Sequence, residues 1–128
     1  MSEATINEAI EIQVKPNYIA QQSQPGEGRY VYAYTITIAN RGDAAARLIG
    51  RHWVISDERE EKKEVRGIGV VGEQPYLPPG KSYTYTSGVV LETETGIMQG
   101  SYQMKTDQGK LFDVSIPAFA LVPPHAIH

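Results

Sequence analysis

Strict alternation of side-chain character recurs along this chain and constrains it more than any other feature. "RYVYAYTITIAN" sends Tyr30, Tyr32, Tyr34, Ile36 and Ile38 to one face and Val31, Ala33, Thr35, Thr37 and Ala39 to the other. A period of two built from β-branched and aromatic residues predicts a strand with one buried face. "IEIQVKPNYI" sets Ile10, Ile12 and Val14 opposite Glu11, Gln13 and Lys15 ahead of Pro16. "ARLIGRHWVISDE", "KSYTYTSGVV", "GIMQGSYQMKT" and "GKLFDVSIPAFAL" read as further strands, and a charged hairpin-like segment follows the first of these. In the last two, Met98, Gly100, Tyr102 and Met104 share a face, as do Phe112, Val114 and Ile116. Almost nothing repeats at helical spacing.

About seven strands with turns between them predict an all-β fold, an antiparallel sandwich of immunoglobulin or fibronectin type III kind, because two sheets then bury their alternating faces against each other. A closed Greek-key barrel is the alternative, since strand patterns do not specify how sheets close. The 128 residues fit one domain, expected over 7–124, with a flexible stretch at 1–6 and a short tail at 125–128 after Pro123 and Pro124.

The remaining bounds are chemical. A net charge of −3 provides no general attraction for nucleic acid. No run reaches the length of a membrane span, and "MSEATINEA" has no basic stretch leading into an apolar one, so membrane insertion is not expected and the cytoplasm is the expected location. Without cysteine there is neither a disulfide nor a thiolate.

One stretch carries a nucleotide-like signature. Gly67, Gly69 and Gly72 in "GIGVVG" have the spacing G-x-G-x-x-G. A dinucleotide fingerprint needs a helix after the turn, whose amide groups meet the pyrophosphate. Pro75, Pro78 and Pro79 forbid that helix. A helix-free nest of backbone amides is the weaker version, with Arg66 as its cation and Arg59, Lys62 and Lys63 nearby. Five acids, Asp57, Glu58, Glu60, Glu61 and Glu64, outnumber those four bases. The structural alternative is that the glycines permit a bulge, a tight bend or close backbone approach.

Other constellations point to structure more than to chemistry. His52 beside Trp53 lacks a recognisable nucleophile, and a packed or hydrogen-bonded strand histidine is the simpler reading. Ile49, Arg51, Trp53 and Ile55 would share a face, so either a bulge shifts the register or Arg51 pairs with a carboxylate. His125 and His128 are too few for a metal site, and Glu92, Glu94, Asp107 and Asp113 read as solvated charges. No catalytic residue, metal site or cofactor is expected. The tyrosine-rich strands, with Tyr83 and Tyr85 added to Tyr30, Tyr32 and Tyr34, offer either core or an amphipathic surface for a partner.

"RLIGRHWVISD", "GIGVVGEQPYLPPGKSYTYTSG" and "GIMQGSYQMKTDQGKLFDVSIPAFAL" together resemble the ApaG family, also called CorD, over residues 7 to 124. Arg51, His52, Trp53, the stretch 69–75, Pro79, Gly80, Ile116 and Pro117 stand as the family has them. The resemblance implies a fibronectin type III-like fold and no established enzymatic activity. It implies a link of bacterial members to cobalt resistance and magnesium efflux. Related domains in F-box proteins and in a DNA polymerase delta-interacting protein imply protein–protein interaction. Binding of pyrophosphate or nucleotides has been suggested for the family from the same glycines. The expected function is therefore a non-enzymatic binding module whose partner is another protein or a second copy of the chain, with a phosphate-containing small molecule as the alternative ligand.

Overall fold

The computed structural model describes residues 9–124 and is built almost entirely of strands. They are β1 (Ile10–Tyr18), β2 (Tyr30–Asn40), β3 (Ala46–Asp57), β4 (Lys62–Ile68), β5 (Tyr76–Leu77), β6 (Ser82–Leu91), β7 (Gly96–Thr106) and β8 (Leu111–Leu121). Two short 3₁₀ turns, Ala20–Gln22 and Pro25–Glu27, join β1 to β2. The charged segment after β3 is the strand β4, and the two-residue β5 brings the count to eight.

The strands form two antiparallel sheets, one in the order β1-β2-β6 and one in the order β4-β3-β7-β8, with β5 also paired to β3. This is the expected sandwich, and the closed barrel is not formed: β6 pairs only with β2 and β4 only with β3. On the opposite side β1 and β8 lie against each other. The molecule is thus closed along one side and open along the other.

The alternating faces explain the core. Tyr32, Tyr34, Ile36 and Ile38 from β2 meet Trp53, Met98, Tyr102, Met104 and Val114 from the second sheet, each at most 6% exposed. Burial of a side chain of this size contributes about 1.5–3 kcal/mol. Of the two readings of the tyrosines, core or partner surface, the core one holds for most: Tyr32, Tyr34 and Tyr85 are buried, and Tyr30 and Tyr83 pack against it. The hydroxyls of Tyr32, Tyr85 and Tyr102 find partners inside the fold. Tyr32 donates to the Glu94 carbonyl at 2.6 Å, and the Tyr85 and Tyr102 hydroxyls bond each other.

Two bulges change the phase of the second sheet. Leu48 faces Met104 and Gly50 faces Gln103, so Ile49 is an extra residue in β3. The core face of β3 therefore runs Ala46, Leu48 and then Trp53, with the switch at Ile49. A second shift sits opposite Gln99, where β8 carries the extra residue at Pro117–Ala118. Proline is tolerated at a bulge because the ladder there lacks a bond it would otherwise donate. Core positions pass from Ile116 to Leu121 across that shift.

Candidate functional site

The glycine segment joins β4 to β5, and both strands pair with the same edge of β3. The chain leaves that edge at Ile68, makes one tight turn and returns. Gly67 is not in a loop: it lies within β4, opposite Arg51. Gly69 donates its amide to the Ile49 carbonyl at 2.8 Å, so the loop begins where the β3 bulge frees an acceptor. Val70 is fully buried and anchors the segment in the core, and Val70 and Glu73 exchange backbone hydrogen bonds of 2.8 and 2.9 Å. Val71 and Gly72 between them have φ of 42° and 81°, the signature of a type I′ turn.

Each glycine of the motif has a structural use. At Gly67 an added Cβ would stand 2.5 Å from Nη1 of Arg51. At Gly69 it would overlap the Glu73 carbonyl oxygen, on a backbone with φ of 66°. At Gly72 there is open space, and the positive φ is the requirement.

Arg51 explains the first of these. Its Nη1 donates to the carbonyls of Ile68 at 3.2 Å and Gly69 at 2.8 Å. A bulge is present at Ile49 but leaves Arg51 on the same face as Trp53, and the carboxylate alternative fails because the partners of Arg51 are backbone oxygens. The carbonyls of the glycine segment thus hold a side-chain cation. The amides of Val71 and Gly72, at the tip, bond no other group among the described residues. Arg66 is exposed on β4 and makes no ion pair or hydrogen bond among them.

Arg51 also lines a cleft of about 360 Å³ on the open side between β4 and β6. Tyr34, Trp53 and Met98 form its floor, Ile55, Val65 and Lys63 one wall, and β6 from Ser87 to Val90 the other. Trp53 meets Tyr34 and Tyr102 edge-on, with ring centroids 5.5 and 6.4 Å apart. This packing holds the floor rigid. Burial pushes the pKa of the Tyr85 hydroxyl up to about 12, against the hydrogen bond with Tyr102, which lowers it, and burial raises that of Tyr102 as well. Sequence reasoning missed this cleft, since its walls come from strands far apart in the chain.

The other candidates lie apart from it. His52 bonds Glu64 at 2.9 Å across β3 and β4, with the glutamate largely exposed. Glu92 pairs with Arg59 at 3.4 Å. Asp107 accepts the Tyr76 hydroxyl, which raises the pKa of that tyrosine, and Asp113 is exposed on β8. No three His, Asp or Glu side chains converge among the described residues. His125 and His128 lie outside those residues. No helix among them is long and apolar enough to cross a membrane.

Fold and cleft together define a fibronectin type III-like sandwich domain, open between two edge strands. Residues 20–106 match the ApaG domain. Protein ApaG of Aromatoleum aromaticum is 52% identical over 119 residues, covering 93% of this chain and 94% of that one. Protein ApaG of Thiobacillus denitrificans is 54% identical over the same shares. A crystal structure of an ApaA protein from Bordetella pertussis superimposes with a TM-score of 0.88 at 45% identity, covering 90% of this chain and 94% of that one. The chain belongs to the ApaG family.

Proposed function

We propose that the domain is a non-enzymatic binding module that engages another protein through the open side of the sandwich. The observation that carries this reading is that β4 and β6, the free edges of the two sheets, face each other across a cleft with an apolar floor. Unpaired strand edges are templates for added strands, and a rigid aromatic floor suits an anchoring side chain. The one described histidine is held by Glu64 on another face. The link to cobalt and magnesium that the family resemblance implies is read as an effect of the protein it binds.

The test is photo-crosslinking in cells from a benzophenone residue at Val90, an exposed position on the cleft rim, with Asp113 on the outer face of β8 as control. A discrete partner captured from Val90 and not from Asp113 is expected. Absence of a captured partner from every surface position would overturn the reading.

A second reading, an anion such as pyrophosphate held at the tip of the glycine turn by Gly72 and Arg66, is supported by the unbonded amides of Val71 and Gly72 and by the unpaired Arg66; Gly67 lies within β4 and the Gly69 amide is taken by Ile49, so neither contributes. A ligand that binds only the native state must raise its melting temperature. Pyrophosphate, ATP and GTP at millimolar concentration test it, and an unchanged melting temperature with all three removes its basis.

A further inference from the structure

The charge of the cleft is opposite to that of the chain. The protein carries a net charge of −3, yet the cleft lining contains Arg51 and Lys63 and no acidic side chain. Arg51 is half-buried, and both of its hydrogen bonds go to neutral carbonyls through Nη1 alone. No ion pair among the described residues includes it. Charged groups removed from water are ordinarily paired, so a guanidinium left without a counter-charge in an aromatic cleft is suited to a carboxylate brought by a ligand.

A second observation is independent of charge. Gly88 lies in the interior of β6, lines the cleft and is exposed. Its pairing with Ala33 is in regular register, its φ is not positive, and a Cβ there would make only an ordinary contact, 3.5 Å from the Tyr32 carbonyl. The fold does not need a glycine at this position, and a strand glycine is destabilising relative to alanine. Such a residue marks a place where another backbone approaches closely.

We propose that the cleft takes an extended, acid-bearing segment of a partner protein, laid along the free edge of β6 at Gly88 with a carboxylate side chain on Arg51. This deepens the binding-module reading and rests on it. Side chains on one face of a strand recur about every 7 Å, the spacing of Arg51 and Trp53 on β3. An apolar residue two positions from the acid therefore falls on the Trp53 floor. Lys63 adds to the positive field. Beyond it lies an adjoining depression of about 180 Å³ with charges of both signs, Asp57, Glu61 and Glu92 beside Lys62 and Lys63, so the positive field is strongest at the Arg51 end.

A phage library of random 12-residue peptides selected on the folded domain tests this. Selected peptides are titrated by the fluorescence of Trp53, the only tryptophan in the chain. The expected peptides carry Asp or Glu with an apolar or aromatic residue two positions away, and changing that acid to its amide weakens binding about tenfold or more. Arg51→Gln is expected to do the same. Because Arg51 also braces the glycine turn, Lys63→Glu and Gly88→Ala serve as variants that leave the fold intact, and each is expected to weaken binding while the melting temperature holds or rises. Failure to enrich any peptide, enrichment without an acid, or affinity unchanged by Lys63→Glu and Gly88→Ala would overturn the proposal. So would displacement of the selected peptides by acetate or citrate alone at equal affinity, which would make the site one for small carboxylates. A partner crosslinked from Val90 but bound equally by these variants would leave the module reading standing and remove only this one.

Discussion

The guanidinium of Arg51 lies against the backbone of Gly67, so close that a side-chain carbon at residue 67 would stand 2.5 Å from Nη1 and 2.6 Å from the guanidinium carbon. Two positions 16 residues apart in the chain are directly opposite on β3 and β4. The first glycine of the motif is there to admit an arginine of the neighbouring strand.

Gly67→Ala is therefore expected to displace Arg51 and to cost about 1–3 kcal/mol, as an overpacked site does. The loss should shrink by about 0.5 kcal/mol or more in an Arg51→Ala background, because contacting residues are coupled. Urea unfolding of the two single variants and the double variant measures this. Additive losses would show that the arginine is not what the glycine accommodates.

Val71 occupies a left-handed conformation that β-branched residues disfavour. It is more than half exposed, so little packing is lost on replacing it. Val71→Asn should stabilise the domain by about 1 kcal/mol, asparagine being suited to the first central position of a type I′ turn. A rise of several degrees in melting temperature is the expected readout, and a fall would mean that the turn is not under strain.

The buried tyrosine pair predicts an alkaline limit to stability. Tyr85 titrates at about 12 when folded against an ordinary value of 10.0. Between those values the unfolded chain has lost a proton that the folded chain keeps. Stability is complete below pH 10 and falls as pH rises through that window, by about 1.4 kcal/mol per pH unit for each such tyrosine. Tyr85→Phe alone strands the Tyr102 hydroxyl in the core and should cost about 1–3 kcal/mol. Tyr85→Phe with Tyr102→Phe should recover much of that and reduce the slope between pH 10 and 12, leaving the part due to Tyr32, whose pKa burial also pushes up to about 12. Denaturant midpoints across that range decide the matter.

Asn40 is buried at the end of β2 and satisfied on both sides of its amide. Nδ2 donates to the carbonyls of Ala44 at 2.9 Å and Leu77 at 3.0 Å, and Oδ1 accepts from the Gly42 amide at 3.0 Å. It ties the β2–β3 turn to β5. Asn40→Ala is expected to cost about 2–3 kcal/mol by leaving those backbone groups unpaired, and Asn40→Asp should not restore it because a carboxylate cannot donate. Thermal unfolding of both variants tests this. Near-native stability of the aspartate variant would sink the account.

The strands were legible because alternation is a local property. In β2, the residues Tyr32 to Ile38 announce their buried face within a few positions, and the prolines after Gly72 rule out a helix without reference to anything distant. The family resemblance was legible for the same reason, being carried by short contiguous stretches. For Arg51 the deciding fact was its partners, the Ile68 and Gly69 carbonyls at the end of the neighbouring strand, and the bulge at Ile49 likewise depends on how a strand meets its partner rather than on its own residues. The tyrosines divided in the same way: an amphipathic ring suits core and surface alike, and only the hydroxyl partners of Tyr32, Tyr85 and Tyr102 decided for the core.

By itself, then, the sequence determined the strands, an antiparallel all-β fold and the absence of a dinucleotide fold, all of which follow from the period and backbone chemistry of neighbouring residues, while the choice of sandwich over closed barrel came from the sheet order. Only the tertiary structure decided that one side of the sandwich stays open, that the glycine motif holds Arg51, and that Gly88 borders the same cleft. Those relationships join β3, β4 and β6, whose contacts are set by sheet order and register, and no local pattern encodes which edges are left without a neighbour.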